Sequence, residues 1–339
     1  MTKIEIISGF LGAGKTTLIR KFLEERDASE TIAIIENEFG EVGIDGFALQ
    51  QSGVSVREIN AGCICCSLVG NFDAALRDLL KRYQPDRIII EPSGVGKLSD
   101  ILTACKDIGK SFNASVSFCA TVVDAKKYMM YRRNFAEFYE NQIAATNVVL
   151  LSRTDLVSAE GVKAVAKDIA RINPNAHLVA TSWDKITSED IRNCANLSMK
   201  EFAADTHNHR TIPRGARYFS VSSNHSHDRA CGEKPVDHKH AAADVFSFWG
   251  VETPIAFAED QLCRILESLS DARFGTILRA KGMIRLASEE AKDCNEEWRI
   301  FDYVEEEIHL IASEPGVIGK ICVIGQDLNR DALEDCFGV

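Results

Sequence analysis

The stretch Gly9-Phe10-Leu11-Gly12-Ala13-Gly14-Lys15-Thr16 matches G-x-x-x-x-G-K-[ST]. It lies between a β-branched run, Lys3 to Ser8, and a segment, Thr16 to Glu25, whose Leu18, Ile19, Phe22 and Leu23 fall at helical spacing. A strand feeding a glycine-rich turn into a helix aims backbone N–H groups and the helix N-terminus at one point, which is a cradle for phosphate. The side chains then have defined tasks. Lys15 reaches the β- and γ-phosphate oxygens and the Thr16 hydroxyl ligates Mg2+, while Gly9, Gly12, Ala13, Gly14 and Thr17 border the phosphates. A merely tight turn would need neither Lys15 nor Thr16.

Further apolar runs at Ile32–Ile35, Val54–Ile59, Arg87–Ile90, Val116–Val123, Val148–Leu151 and His177–Ala180 alternate with segments such as Phe72–Tyr83 and Gly161–Ile172 that read as helices. Buried strands alternating with helices predict a mainly parallel sheet covered on both faces, an α/β P-loop NTPase domain at residues 1–190. Apolar periodicity fades through 191–243, where six of the eight histidines (His207, His209, His225, His227, His238, His240) gather, and this stretch is expected to be a linker or insertion. Arg217–Val221 is a candidate strand within it. Order returns over 244–339, with strands expected at Val245–Trp249, Gly282–Leu286, Trp298–Tyr303, Glu307–Ala312 and Lys320–Ile324 and helices at Glu259–Leu269 and Arg330–Phe337, a smaller α+β domain.

Composition narrows the partners. With 39 Lys+Arg against 50 Asp+Glu the net charge is −11, which argues against nucleic acid or an anionic membrane as a non-specific partner. No apolar run reaches the length of a membrane span, and the N-terminus has no long apolar leader. Eleven cysteines, an odd number in 339 residues, fit reduced thiols in the cytoplasm better than a disulfide scaffold.

Two further strand ends complete the nucleotide reading. Arg87-Ile88-Ile89-Ile90-Glu91-Pro92-Ser93-Gly94 supplies Glu91 as the acid that holds the water shell of Mg2+, with the Gly94 N–H meeting the γ-phosphate. Lys15, Thr16 and Glu91 are thus the expected catalytic set. Val148-Val149-Leu150-Leu151-Ser152-Arg153-Thr154-Asp155 occupies the place of the Asn-Lys-x-Asp of GTP-binding proteins. Asp155 would accept from the two donors on the guanine edge, and Arg153 would lay its stem and guanidinium over the purine. Ser152 stands where Asn is usual.

Asn60-Ala61-Gly62-Cys63-Ile64-Cys65-Cys66 places three thiols in four residues. In an extended segment Cys63 and Cys65 point the same way, and Cys66 joins them after a local bend, so Zn2+ or another soft to borderline ion suits the set. A redox pair or small buried residues are the other readings of these cysteines. Glu36-Asn37-Glu38-Phe39-Gly40-Glu41-Val42-Gly43-Ile44-Asp45 follows the second strand, where P-loop GTPases carry a loop that senses the γ-phosphate.

Taken in order, G-F-L-G-A-G-K-T-T, E-N-E-F-G-E, G-C-I-C-C and E-P-S-G resemble the CobW-like metallochaperones. These are one branch of the metal-insertion P-loop GTPases, whose sibling branches serve hydrogenase, urease and methylmalonyl-CoA mutase. Phe301-Asp302-Tyr303 and Gly319-Lys320-Ile321-Cys322-Val323-Ile324-Gly325 are similar to that family's second domain, so the resemblance covers most of the chain outside 193–243. It implies phosphate binding by Gly12, Gly14, Lys15 and Thr16, and metal binding by Cys63, Cys65 and Cys66 with Glu36 and Glu41 as additional ligands.

The three His-x-His pairs are either a further metal store or a solvated polar loop. The expectation is a GTPase that couples GTP/GDP state and Mg2+ to delivery of a transition metal, Zn2+ first with Co2+ or Ni2+ as alternatives, or of a metal cofactor, to a client protein. A homo-oligomer is left open. A small-molecule kinase would need an acceptor pocket and a lid, and a non-catalytic metal store would not need Lys15 and Thr16.

Overall fold

The computed structural model describes residues 1–36, 55–58, 68–196, 242–287, 297–304, 307–313 and 315–339. The expected strand at Arg217–Val221, the six clustered histidines, Glu41 and Cys63, Cys65 and Cys66 lie outside the described residues.

Among the described residues the N-terminal part forms one sheet of seven strands: β1 (Thr2–Gly9), β2 (Ile32–Glu36), β3 (Ser55–Glu58), β4 (Arg87–Glu91), β5 (Ala114–Asp124), β6 (Val148–Ser152) and β7 (His177–Val179). Every pairing is parallel, in the order β3-β2-β4-β1-β5-β6-β7. Parallel strands need crossovers, supplied here by α1 (Lys15–Glu24), α2 (Leu68–Arg82), α3 (Leu98–Phe112), α4 (Tyr128–Asn134), α5 (Ala136–Ala144), α6 (Ala159–Ile172) and α7 (Ser188–Asn196).

Strands buried on both faces are apolar at successive positions, and β2, Ile-Ala-Ile-Ile-Glu, is buried throughout. Ile32 and Ile34 pack with Leu18, Ile19 and Phe22 of α1, whereas Ala33 and Ile35 pack with Phe72 and Leu76 of α2 and Ile108 of α3. Ile191 and Cys194 of α7 join the α1 layer, so packing with this sheet continues to residue 194. Ser158 caps α6 by accepting from the Gly161 N–H at 3.1 Å.

The C-terminal part is an antiparallel sheet of β8 (Ser247–Thr253), β10 (Thr276–Leu286), β11 (Trp298–Val304), β12 (Glu307–Ser313) and β13 (Gly319–Gln326), ordered β12-β11-β10-β13-β8, with β9 (Ala256–Phe257) parallel to the end of β10. One face is covered by α8 (Glu259–Ser268) and α9 (Arg330–Phe337), where Leu262, Leu266, Leu333 and Phe337 meet Ala280, Ile284, Phe301 and Ile321. The strand expected at Gly282–Leu286 is the second half of the longer β10, and the strand expected at Val245–Trp249 begins at Ser247 and runs to Thr253. The missed half of β10 has a physical reason. Arg279 and Lys281 interrupt the apolar pattern because their face of the strand turns toward the first sheet.

The two parts share a core. Phe246, Leu278, Cys322 and Ile324 of the C-terminal part pack in one cluster with Phe10, Leu11, Tyr128 and Tyr131. Among the described residues no helix is long and apolar enough to cross a membrane.

Candidate nucleotide-binding site

β1 lies at the centre of the parallel sheet, and its carboxyl end delivers the glycine-rich turn to the crevice where open α/β sheets bind ligands. The turn is anchored by its own apolar residue. The Phe10 ring lies 4.6 Å from that of Tyr131 and 5.2 Å from that of Phe135, centroid to centroid, which leaves the backbone of 11–14 to wrap outward. Gly12 adopts φ +67°, and a Cβ there would come within 2.6 Å of Val304 Cγ1, so both the turn and the approach of β11 require glycine.

α1 opens at Lys15. Its Nζ donates to the Phe10 carbonyl at 3.4 Å and sits 3.8 Å from Glu91 Oε1. The Thr16 hydroxyl lies 3.3 Å from both oxygens of the Glu91 carboxylate. Glu91 is brought there because β4 pairs directly with β1, with Ile90 opposite Ile6, and ends two residues short of the turn that leaves β1 at Gly9. Lys15 and Glu91 are both buried. A hydroxyl and a carboxylate side by side are the hard oxygen donors that Mg2+ prefers, so these residues fit that ion. Gly94 follows in the loop after β4, where a Cβ would stand 2.9 Å from the Leu11 nitrogen. Gln142 Nε2 holds this loop by donating to the Gly94 and Gly96 carbonyls at 2.9 and 3.0 Å.

At the end of β6 the Ser152 hydroxyl donates to the Ala13 carbonyl at 2.8 Å, tying this strand end to the phosphate turn. Arg153 has φ +53°. Its guanidinium donates to the Gly12 carbonyl at 2.9 Å, to Asp124, and to Glu307 Oε2 at 2.9 Å. The head group expected to lie over the purine is therefore committed to the phosphate turn and to β12, and only the stem remains to face a base. Asp155 is exposed in the short turn Thr154–Leu156. Trp183, which the sequence reading did not single out, stands on the other side of the turn: a Cβ on Gly14 would lie 3.2 Å from its Cη2. Its place just beyond β7, at the carboxyl end of the sheet, was the available signal.

Glu36 ends β2 and is buried. The register sets it beside Glu91 on β4 and beside Glu58 on β3, so three glutamate positions line the carboxyl edge of adjacent strands. The chain enters the cysteine segment one residue after Glu58. Among the described residues no group of three or more His, Cys, Asp or Glu side chains is arranged to hold a metal ion.

Above the phosphate turn lies a cavity of about 390 Å³, within the size range of small-ligand sites. One wall carries Gly12, Gly14, Lys15, Thr16 and Glu91, and the facing wall is the C-terminal sheet, with Arg279, Lys281, Asp302 and Glu307. The sequence reading placed no site residue on that wall.

Comparison with known proteins agrees with this geometry. Residues 3–180 match the CobW/HypB/UreG nucleotide-binding domain, and residues 246–338 match the cobalamin synthesis protein CobW C-terminal domain. The zinc chaperone YeiR of Escherichia coli (strain K12) is 28% identical over 296 residues, covering 84% of this chain and 84% of its own. Zinc-regulated GTPase metalloprotein activator 1 of Schizosaccharomyces pombe is 26% identical over 353 residues, covering 96% of this chain and 83% of its own. The crystal structure of the Zn(II)-bound YjiA GTPase from E. coli covers 99% of this chain and 98% of that one at 22% identity, with a TM-score of 0.42. A phosphate turn on a parallel sheet, backed by a second domain whose model also matches, has one consistent assignment: the chain belongs to the CobW/HypB/UreG family.

Proposed function

We propose that this chain is a Mg2+-dependent GTPase whose nucleotide state governs delivery of a transition metal, zinc foremost, to a client metalloprotein. The observation that carries the reading is the constellation of buried Lys15 and Glu91 with half-buried Thr16 at the end of β1 and β4. Lys15 neutralises charge that develops on the β- and γ-phosphates, and the Gly94 N–H adds a donor from the loop held by Gln142. Thr16, with Glu91 behind it, would hold Mg2+, which supplies charge neutralisation between the two phosphates. Asp155 accepts from guanine, and Trp183 and the Arg153 stem border the base side. Residues 1–190 form the nucleotide unit, 191–243 a connecting segment and 244–339 the second domain.

The cargo reading is supported by the C-I-C-C thiols and by the relatives, a zinc chaperone and a zinc-regulated activator. Cys63, Cys65 and Cys66, with Glu36 and Glu41, are the proposed ligands. Glu36 gives a physical route for coupling, because it adjoins Glu91 in the sheet while its own strand leads into the Glu36–Asp45 segment. Metal and γ-phosphate would then act on neighbouring strand ends, and linkage requires each to change the affinity of the other by the same factor.

The test is titration of Zn2+, Co2+ and Ni2+ into the protein loaded with GDP or with a non-hydrolysable GTP analogue, alongside GTP turnover by Lys15→Ala. Coupled delivery predicts different metal affinities in the two nucleotide states and no turnover in a folded Lys15→Ala protein. Equal affinities in both states sink the coupling, and wild-type turnover by Lys15→Ala sinks the site.

A further inference from the structure

β10 carries Arg279 and Lys281 two residues apart, on the strand face opposite Ala280 and Ile284, and both cationic residues are less than 10% exposed. The register sets Lys281 opposite Asp302 on β11 and Asp302 opposite His309 on β12, a polar row across three strands. Arg279 forks onto the Asp302 carboxylate at 2.9 and 2.8 Å. The reverse face of these strands packs on α8 and α9. A sheet that needed only to bury its second face would put apolar side chains there. This one puts Arg279, paired with Asp302, and Lys281 there, in the wall of the cavity that the phosphate turn also lines.

What they face is the phosphate turn. Among the described residues the cavity between the two parts is lined by Lys15, Arg20, Arg153, Arg279 and Lys281, of which Lys15 pairs with Glu91, Arg153 with Asp124 and Glu307, and Arg279 with Asp302. In a chain of net charge −11, these basic side chains gather around the phosphate turn. A polyanion that enters along Lys15 and Thr16 meets the opposite wall.

We infer that Lys281, positioned beside the Arg279–Asp302 pair, is a second ligand for the nucleotide's phosphate chain, supplied by the C-terminal domain. The inference rests on the GTP reading above and extends it, because the site is then complete only when both domains are docked. GTP bridges Lys15 on one wall and Lys281 on the other. Loss of the γ-phosphate removes the anion that joins the two walls, which weakens the docking. The C-terminal domain thereby senses whether the triphosphate is present.

The experiment titrates the full chain with a non-hydrolysable GTP analogue and with GDP, for wild type, Lys281→Gln, Lys320→Gln and Lys15→Ala, with melting temperatures measured without nucleotide. Lys320 sits on the same sheet, pairs with Glu252 and does not line the cavity, so it controls for loss of one positive charge. Lys281→Gln is expected to weaken the GTP analogue by roughly 10-fold or more, as for loss of a charge-assisted hydrogen bond, with a smaller loss for GDP. Lys320→Gln should match wild type. Binding of the analogue by folded Lys281→Gln within twofold of wild type would overturn the inference, leaving Lys281 as part of an interdomain ion-pair row. Should Lys281→Gln not fold, hydrogen exchange on wild type decides. Amides of 279–283 and 300–304 slow with the analogue more than with GDP if the inference holds, and exchange identically in both if it does not. Lys15→Ala separates the two claims: if it binds nucleotide like wild type, the phosphate-turn assignment itself has failed.

Discussion

Arg153 stands after β6 with its guanidinium engaged by groups far from it in sequence. Its position after β6 was legible, but its partners Gly12, Asp124 and Glu307 lie 141, 29 and 154 residues away in sequence, and no local pattern announces them. Lys15, Thr16 and Glu91 were legible because each terminates or starts an element whose apolar run is unmistakable, so their convergence follows from β1 pairing with β4. Glu91→Gln keeps the side chain's size and removes its charge. It should leave GDP affinity within a few-fold and slow single-turnover phosphate release about 100-fold, the scale of losing one electrostatic contributor to a preorganised site. Purine choice is proposed to rest on Asp155, which is exposed. Asp155→Asn should weaken GTP about 10-fold and improve xanthosine triphosphate, whose carbonyl replaces one donor. Competition assays with both nucleotides check this, and equal competition by ATP in the unmodified protein would end the guanine reading.

Among the elements, the strands of the first sheet were legible within one or two residues because parallel strands buried on both faces leave continuous β-branched runs. α4 and α5 were not, since their buried Tyr128, Tyr131, Phe138 and Tyr139 are interspersed with Arg, Asn and Glu in helices of seven and nine residues, too short for a period to stand out. Packing of these elements has a titration consequence. Cys105 on α3 and Cys119 on β5 lie in one core cluster, and burial pushes both thiols from an ordinary 9.0 up to about 12. The folded chain keeps these protons where the unfolded chain releases them, so their contribution is intact below pH 9 and is lost as pH rises toward 12. The denaturant midpoint should therefore fall between pH 8 and about 10.5, more steeply than in a Cys105→Ala, Cys119→Ala double variant. An identical slope in both proteins would show that other groups dominate the alkaline loss. In the folded protein at pH 8, iodoacetamide should leave Cys105 and Cys119 unmodified while reaching the half-buried Cys263 and Cys336.

At the scale of the whole molecule the phosphate turn is held from both sides. Phe10 sits in an aromatic cluster completed by Phe246, whose ring lies tilted against Phe135 at 5.5 Å and meets Phe138 edge-on at 5.3 Å. Val304 packs on Gly12, its carbonyl accepts from Lys127 Nζ at 3.3 Å, and Glu307 holds Arg153. None of this was legible in the sequence, because contacts between separate sheets obey no periodicity, and Arg279 and Lys281 even disguised the strand that carries them. Phe246 links stability to nucleotide binding at this junction. It is 2% exposed and touches no proposed phosphate or base contact directly, so Phe246→Ala should cost about 3–5 kcal/mol of stability, as for other buried aromatics. Its removal also loosens the seat of Phe10, whose ring is 6.3 Å away, and through it the backbone that cradles the phosphates. Chemical denaturation read together with a GTP-analogue titration, both below the unfolding midpoint, should show lower stability and several-fold weaker binding in the same variant. Unchanged nucleotide affinity in the destabilised protein would mean that the phosphate turn keeps its shape without the second domain, and that docking of the two sheets follows nucleotide binding instead of preparing for it.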